Sequence, residues 1–234
     1  MKINTLLIAN RGEIACRIAR TARVQGITPV GVHSEADANA LHVREIGRSI
    51  LIGAGPASES YLKIDAVLDA ARRVGADAIH PGYGFLAENP DFANAVEAAG
   101  MIFVGPTGET LDRFGDKASA KDAAIAAGVP VVSGATGAKS DPGEIAAAVR
   151  EMGFPVLLKA VGGGGGRGQR LVENEATLMQ DIKGALREAK STFGSEGMLL
   201  ERFLPAARHV EVQIAGDGAG HVVHLFERDC TLQR

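Results

Sequence analysis

The sequence has no tryptophan, only two cysteines, and aromatic residues at 4% of its 234 positions. So sparse an aromatic set argues against base stacking as the main mode of recognition. Cys16 and Cys230 stand far apart and form neither a CxxC pair nor a metal-ligand spacing, which fits a reducing compartment. No apolar run approaches the ~20 residues of a membrane span. The opening MKINTLLIANRGE also lacks the longer apolar core and the cleavage site of a signal peptide. Charge is not biased either: 25 basic residues, scattered along the chain, face 28 acidic ones. Nucleic-acid binding by bulk electrostatics is therefore not expected. What these absences leave is a soluble, cytoplasmic globular protein, long enough for one large domain or two small ones.

Glycine is what the chain has in quantity, and five fall together in VLLKAVGGGGGRGQRLV (156–172). A flexible linker has no reason to sit between two apolar strand-like runs. Gly163, Gly165 and Gly168 satisfy G-x-G-x-x-G, but that fingerprint must open a helix, whereas RLV reads as a strand. A P-loop needs a lysine after its last glycine, and Gln169 follows Gly168. What remains is a loop between two antiparallel strands whose backbone can approach a ligand closely. Successive unobstructed N–H groups there can form a nest for phosphate oxygens. Lys159, three residues before the first glycine, would add a point charge to the same phosphates.

Around this loop, short apolar strands alternate with alanine-rich helical segments. Strands are expected at 5–9, 28–34, 76–82 and 101–105, with helices after Asn10, at 60–74 and at 91–99. Asn10 and Glu13 have the spacing of a capping box. Such alternation predicts a parallel sheet covered by helices on both faces. ANRGE (9–13) and HPGYGFLAEN (80–89) fall at its carboxyl ends, where ligands of such sheets bind. A structural reading of HPGYG is a tight turn with a partly buried histidine and tyrosine.

The pattern changes near residue 115. Helices are expected at 116–128, 144–152 and 175–190, strands at 155–161 and 170–172, and a strand from 198 that runs into a connection ending at Pro205. Domain boundaries of 1–115 and 116–234 follow, with a small lid-like subdomain at about 133–203. In HVEVQIAGDGAGHVVHLFERD, Val210, Val212 and Ile214 alternate with His209, Glu211 and Gln213, and Asp217-Gly218 marks a hairpin turn. A glutamate after an apolar run, Glu201, can accept from an exocyclic amine while the following backbone meets a base edge; a solvated glutamate would look the same. His209 reads equally as a surface histidine.

Together these segments resemble the biotin carboxylase family of the ATP-grasp superfamily. The residues that carry the likeness are IANRGEIACRIARTAR (8–23), HPGYGFLAEN (80–89), GPT with GDKASAK (105–121), LLKAVGGGGGRGQR (157–170), ERFLPAARHVEVQI (201–214) and FERDCTLQR (226–234). The resemblance implies an α/β chain: an N-terminal Rossmann-like parallel-sheet domain, then an incomplete ATP-grasp domain with a small α+β lid. On matching positions it implies that Lys117 and Lys159 contact nucleotide phosphates and that Gly165 and Gly166 belong to the lid above them. Glu201 and the backbone of Arg202, Phe203 and Leu204 would read adenine, His209 would contact the ribose, and Gln233 would line the phosphate end. Ala87 and Gln169 depart from the serine and methionine usual in the family.

The activity so implied is ATP-dependent carboxylation of biotin on a carrier protein, with bicarbonate, through carboxyphosphate. ATP, Mg²⁺ and carrier-bound biotin would be the cofactors and substrates. A carboxyltransferase and a second copy of the full-length unit would be partners, and neither nucleic acid nor membrane would be one. The family's metal-binding, bicarbonate-binding and catalytic-base residues match positions beyond Arg234. The chain is therefore expected to be a front half, inactive in ATP turnover alone and prone to associate through an uncovered sheet edge. Two alternatives remain: a carbamoyl-phosphate-synthetase-type ligase that also forms carboxyphosphate, or a non-catalytic nucleotide-binding or assembly module. The final carboxyl acceptor is not legible.

Overall fold

The computed structural model describes residues 2–115, 117–135, 137–161, 168–194 and 197–232, with the side chains of Lys117 and Ala118 outside the description. The chain divides into two compact units, Met1–Ala120 and Lys121–Arg234.

The first unit is built on five parallel strands, β1 (Thr5–Ile8), β2 (Thr28–His33), β3 (Ser49–Leu51), β4 (Ala78–His80) and β5 (Ile102–Phe103), in the order β3-β2-β1-β4-β5. The connections from β1 run outward to β3, then return to the other side of β1 at β4, so the order reverses between β1 and β4. Alternation along β1 sorts its side chains onto two faces. Leu6 and Ile8 meet Ala15, Ile18, Ala19 and Ala22 of α1 (Gly12–Val24) and Ile46 of α2 (Leu41–Ile46). Leu7 packs with Val30, Val32 and Ile79 against α3 (Ile64–Val74) and α4 (Pro90–Ala98), which contribute Val67, Leu68, Phe92 and Val96. A further helix, α5 (Gly108–Gly115), closes this part of the chain.

Four elements differ from the sequence expectation. The helix α3 begins at Ile64 rather than Ser60, because the Ser60 hydroxyl donates to the Pro56 carbonyl (2.8 Å) and Tyr61 is buried in the core. The pair α2 and β3, six and three residues long, is too short to show a period in the sequence. Nor was α5 expected.

In the second unit α6 (Lys117–Ala126) straddles the division and leads to α7 (Pro142–Met152), whose first turn is capped by the Asp141 side chain accepting from Glu144 N–H at 2.9 Å. Three antiparallel strands follow, β6 (Val156–Ala160), β7 (Gln169–Val172) and β8 (Met198–Arg202), in the order β7-β6-β8, with α8 (Leu178–Phe193) inserted before β8. One sheet face packs on the helices: Val156, Leu158, Ala160, Val172, Met198 and Leu200 are buried against Ile145, Val149, Leu178, Ile182 and Ala189. The chain ends in an antiparallel hairpin of β9 (Val210–Gly216) and β10 (Val222–Asp229). Its turn is pinned by Asp217, which accepts from Ala219 N–H and His221 N–H, and its register shifts between His224 and Glu227. The architecture is thus the α/β class expected: a five-stranded parallel-sheet domain followed by a second unit with small antiparallel sheets.

Candidate functional site

In the first unit the loops that follow β1 and β4 meet at the point where the strand order reverses, the place where parallel α/β sheets bind ligands. Here that crevice is occupied by the protein itself. Asn10, 3% exposed, donates through Nδ2 to the carbonyls of Pro81 (2.7 Å) and Tyr83 (2.8 Å). The expected capping box is therefore not formed: α1 starts after Arg11 with no side-chain cap, because the Asn10 amide is committed to the neighbouring loop. Gly82 makes this approach possible, since a Cβ there would lie 2.7 Å from Asn10 Nδ2 and its φ is +68°.

The same loop is clamped from its far side. Phe85, with φ of +43°, stacks on Tyr61 at 4.9 Å between ring centroids, and the Arg11 guanidinium lies over both rings. Arg11, Ser34 and Tyr61 all donate to Asp37 at 2.7–3.0 Å. Burial pushes the Asp37 carboxyl up, but these hydrogen bonds outweigh it and hold it below the usual carboxylate range. Burial, with Asp37 beside it, pushes the Tyr61 hydroxyl up to about 12. His80 Nδ1 accepts from Gly82 N–H at 3.0 Å, which places the proton of the neutral ring on Nε2, and burial lowers its pKa. The tyrosine of HPGYG is not partly buried as its turn reading supposed: Tyr83 is 64% exposed, because the clamps hold the backbone of its loop and leave the ring outside. A cavity of about 440 Å³ opens beside His80, walled by Ile3, Leu6, Ile14, Ile18, Ile27 and Val104; none of the phosphate-contact candidates lines it.

In the second unit the face of β7-β6-β8 turned away from the helices carries the candidates. The strand register puts Leu157, Leu171 and Glu201 side by side, and next to them Lys159, Gln169 and Leu199. Lys159 Nζ is ion-paired with Glu201 Oε2, each side chain 24% exposed. The glycine run springs from the strand end that Lys159 occupies, and its exit at Gly168 is tied back by Ala160 N–H donating to the Gly168 carbonyl (2.8 Å). Gly168 has φ of +71° and lies against the Phe193 ring.

The structure therefore brings Lys159 and Glu201 together. The Arg202 side chain belongs to the opposite face, and its N–H donates to the Ser133 carbonyl. Phe203 N–H donates to the Pro155 carbonyl. Among the described residues the Leu204 N–H has no partner, and its side chain is exposed. His209 is exposed at the foot of the hairpin, its N–H donating to Thr231 Oγ1, with Glu211 Oε2 3.9 Å from its Nε2. Lys117 begins α6, with its side chain outside the description; Gly165, Gly166 and Gln233 lie outside the described residues. Among the described residues no three His, Cys, Asp or Glu side chains stand together as a metal site. The sequence reading missed Asn10 as a clamp, the Arg11–Asp37–Tyr61 set, and the aliphatic surface of Leu157, Leu171 and Leu199. The lone polar Lys159 in VLLKA was the signal available for the last, since residues two apart share a strand face.

Residues 2–111 match the family "Biotin carboxylase, N-terminal domain", and residues 116–234 match "Carbamoyl-phosphate synthase L chain, ATP binding domain". The biotin carboxylase of Pseudomonas aeruginosa is 52% identical over 99% of this chain and 52% of its own length. The mitochondrial methylcrotonoyl-CoA carboxylase subunit alpha of Dictyostelium discoideum is 49% identical over 99% of this chain and 33% of its own. Among solved structures, the biotin carboxylase domain dimer of Hydrogenobacter thermophilus 2-oxoglutarate carboxylase, in complex with MgADP, ADP and bicarbonate, superposes with a TM-score of 0.93 at 44% identity, covering 100% of this chain and 51% of that one. The Campylobacter jejuni biotin carboxylase complex with β,γ-ATP gives 0.92 at 45% identity, over 98% and 51%. The chain spans about half the length of these biotin carboxylases. On these matches and on the two folds described, the chain belongs to the biotin carboxylase family, carrying its N-terminal domain and part of its ATP-binding domain.

Proposed function

We propose that this chain supplies the N-terminal domain and part of the ATP site of a biotin carboxylase, a ligase that activates bicarbonate with ATP and carboxylates biotin on a carrier protein. The observation that carries the reading is the Lys159–Glu201 pair on a half-buried aliphatic face, at the root of the glycine-rich loop. A flat apolar surface suits a purine ring, Glu201 suits its amine, and Lys159 suits the phosphates that the loop would cover. The N–H of Leu204, without a partner among the described residues, adds a donor for the base edge. Closure of a glycine loop would exclude water from carboxyphosphate, a labile mixed anhydride. Lys117, Gly165, Gly166, His209 and Gln233 join the site on the resemblance alone, as does a lid subdomain at about 133–203. The described residues supply no magnesium site, and a carboxyltransferase partner, a homodimer and a cytoplasmic setting are parts of the same reading.

The competing carbamoyl-phosphate-synthetase-type ligase shares the match over 116–234, but the match over 2–111 favours the biotin enzyme. Titration of ATP into the protein and into Lys159→Ala tests the reading. It expects the variant to lose most of its affinity; equal affinity removes Lys159 from the site.

A further inference from the structure

We propose that the Lys159–Glu201 ion pair couples phosphate capture to the choice of base, an inference that rests on the nucleotide-site reading above. Among the described residues, six side chains of the three strands share this face, and of these only Lys159 and Glu201 are charged; the others are Leu157, Leu171, Leu199 and the neutral Gln169. They are ion-paired, and both are largely withdrawn from water. A phosphate oxyanion competes with Glu201 for the Lys159 ammonium group. When it wins, it leaves a half-desolvated carboxylate without its cation, which is costly unless another donor replaces it. A 6-amino purine offers that donor in its exocyclic N–H. A 6-oxo purine presents a carbonyl oxygen to the carboxylate and cannot. Capture of phosphate therefore makes the base readout stricter. The unreleased pair, its charge already neutralised, discriminates less.

The consequence is that a nucleoside triphosphate is sorted by its base more sharply than the bare nucleoside. The test compares dissociation constants of ATP, inosine triphosphate, adenosine and inosine, each measured calorimetrically on the same protein. The ATP-to-inosine-triphosphate preference should exceed the adenosine-to-inosine preference by about tenfold. Inorganic tripolyphosphate is a second probe. It should bind several-fold more tightly to Glu201→Gln, in which Lys159 no longer has a carboxylate to leave, and the ATP preference of that variant should fall towards the nucleoside value. Equal preferences for nucleosides and triphosphates overturn the coupling while leaving the nucleotide site intact. So does unchanged tripolyphosphate affinity in Glu201→Gln. Absence of binding by both ATP and tripolyphosphate overturns the underlying reading and the coupling with it. The wild-type comparison needs no variant, so a poorly folding Glu201→Gln does not remove the test.

Discussion

The two units treat their ligand-facing ends in opposite ways. In the first, the crevice at the strand-order reversal is filled by the Asn10 amide, and the loop beside it is held by hydrogen bonds and by the Arg11–Phe85–Tyr61 stack. Its polar groups satisfy one another. In the second, the charged groups lie on an open sheet face, held by one ion pair, which on the nucleotide-site reading a ligand would take apart. Satisfied buried polar groups specify structure, whereas groups whose partner can be exchanged for a ligand are able to bind. Substitutions in the first unit should therefore change stability and leave nucleotide affinity alone, and those at the pair should do the reverse.

The largest expected effect is on the binding side. Lys159→Ala should weaken ATP binding by about 100-fold, through loss of the phosphate contact and an unpaired Glu201, measured by calorimetry. Next, Asn10→Ala removes the donors from two carbonyls and should destabilise the first unit by about 3 kcal/mol, read from urea unfolding, with ATP affinity unchanged. A fall in affinity there would break the comparison. Gly168→Ala combines a left-handed φ with a Cβ 2.7 Å from the Phe193 ring, and should cost about 2 kcal/mol in thermal unfolding of the second unit. It sharpens the comparison by separating a packed glycine from the Lys159–Glu201 pair, since Gly168 adjoins Gln169, the cross-strand partner of Lys159.

The smallest effect is on pH dependence. Burial depresses the His80 pKa in the folded state, so the unfolded chain binds the proton more readily. The stability this ring confers is complete above the ordinary histidine range and declines as pH falls through it. Asp37, also depressed, loses its contribution only at lower pH, as it falls below the ordinary carboxylate range. His80→Gln keeps an acceptor for Gly82 N–H and should flatten the first decline while leaving the second. Melting temperatures from pH 8 to pH 3 check both, and an unaltered first decline would dissociate it from His80.

Much of this was legible in the sequence where the signal is periodic. HVEVQI alternates at period two and falls in β9, while the short apolar runs TLLIA and VLLKA fall in β1 and β6. The candidate site showed in part. Lys159 beside the glycine run is the sequence's ground for expecting a phosphate-type loop, but its pairing with Glu201 depends on a cross-strand register that no local pattern encodes. The Asn10 clamp was misread for a related reason. A side chain with two equally plausible uses, capping its own helix or tying a loop 71 residues away, is decided by tertiary packing. The short α2 and β3 were missed because six- and three-residue elements are stabilised by what they pack on rather than by propensity.

Asn10 also sets a boundary for anyone redesigning this fold. Its carboxamide behaves as a built-in guest, occupying the position where a nucleotide-binding sheet of the same strand order would receive one. A grafted ligand would first have to evict that guest and then offer the stranded carbonyls of Pro81 and Tyr83 two donors of its own. Remodelling for new specificity is better begun on the open face of β6, β7 and β8, where vacating a side chain orphans no backbone group among the described residues.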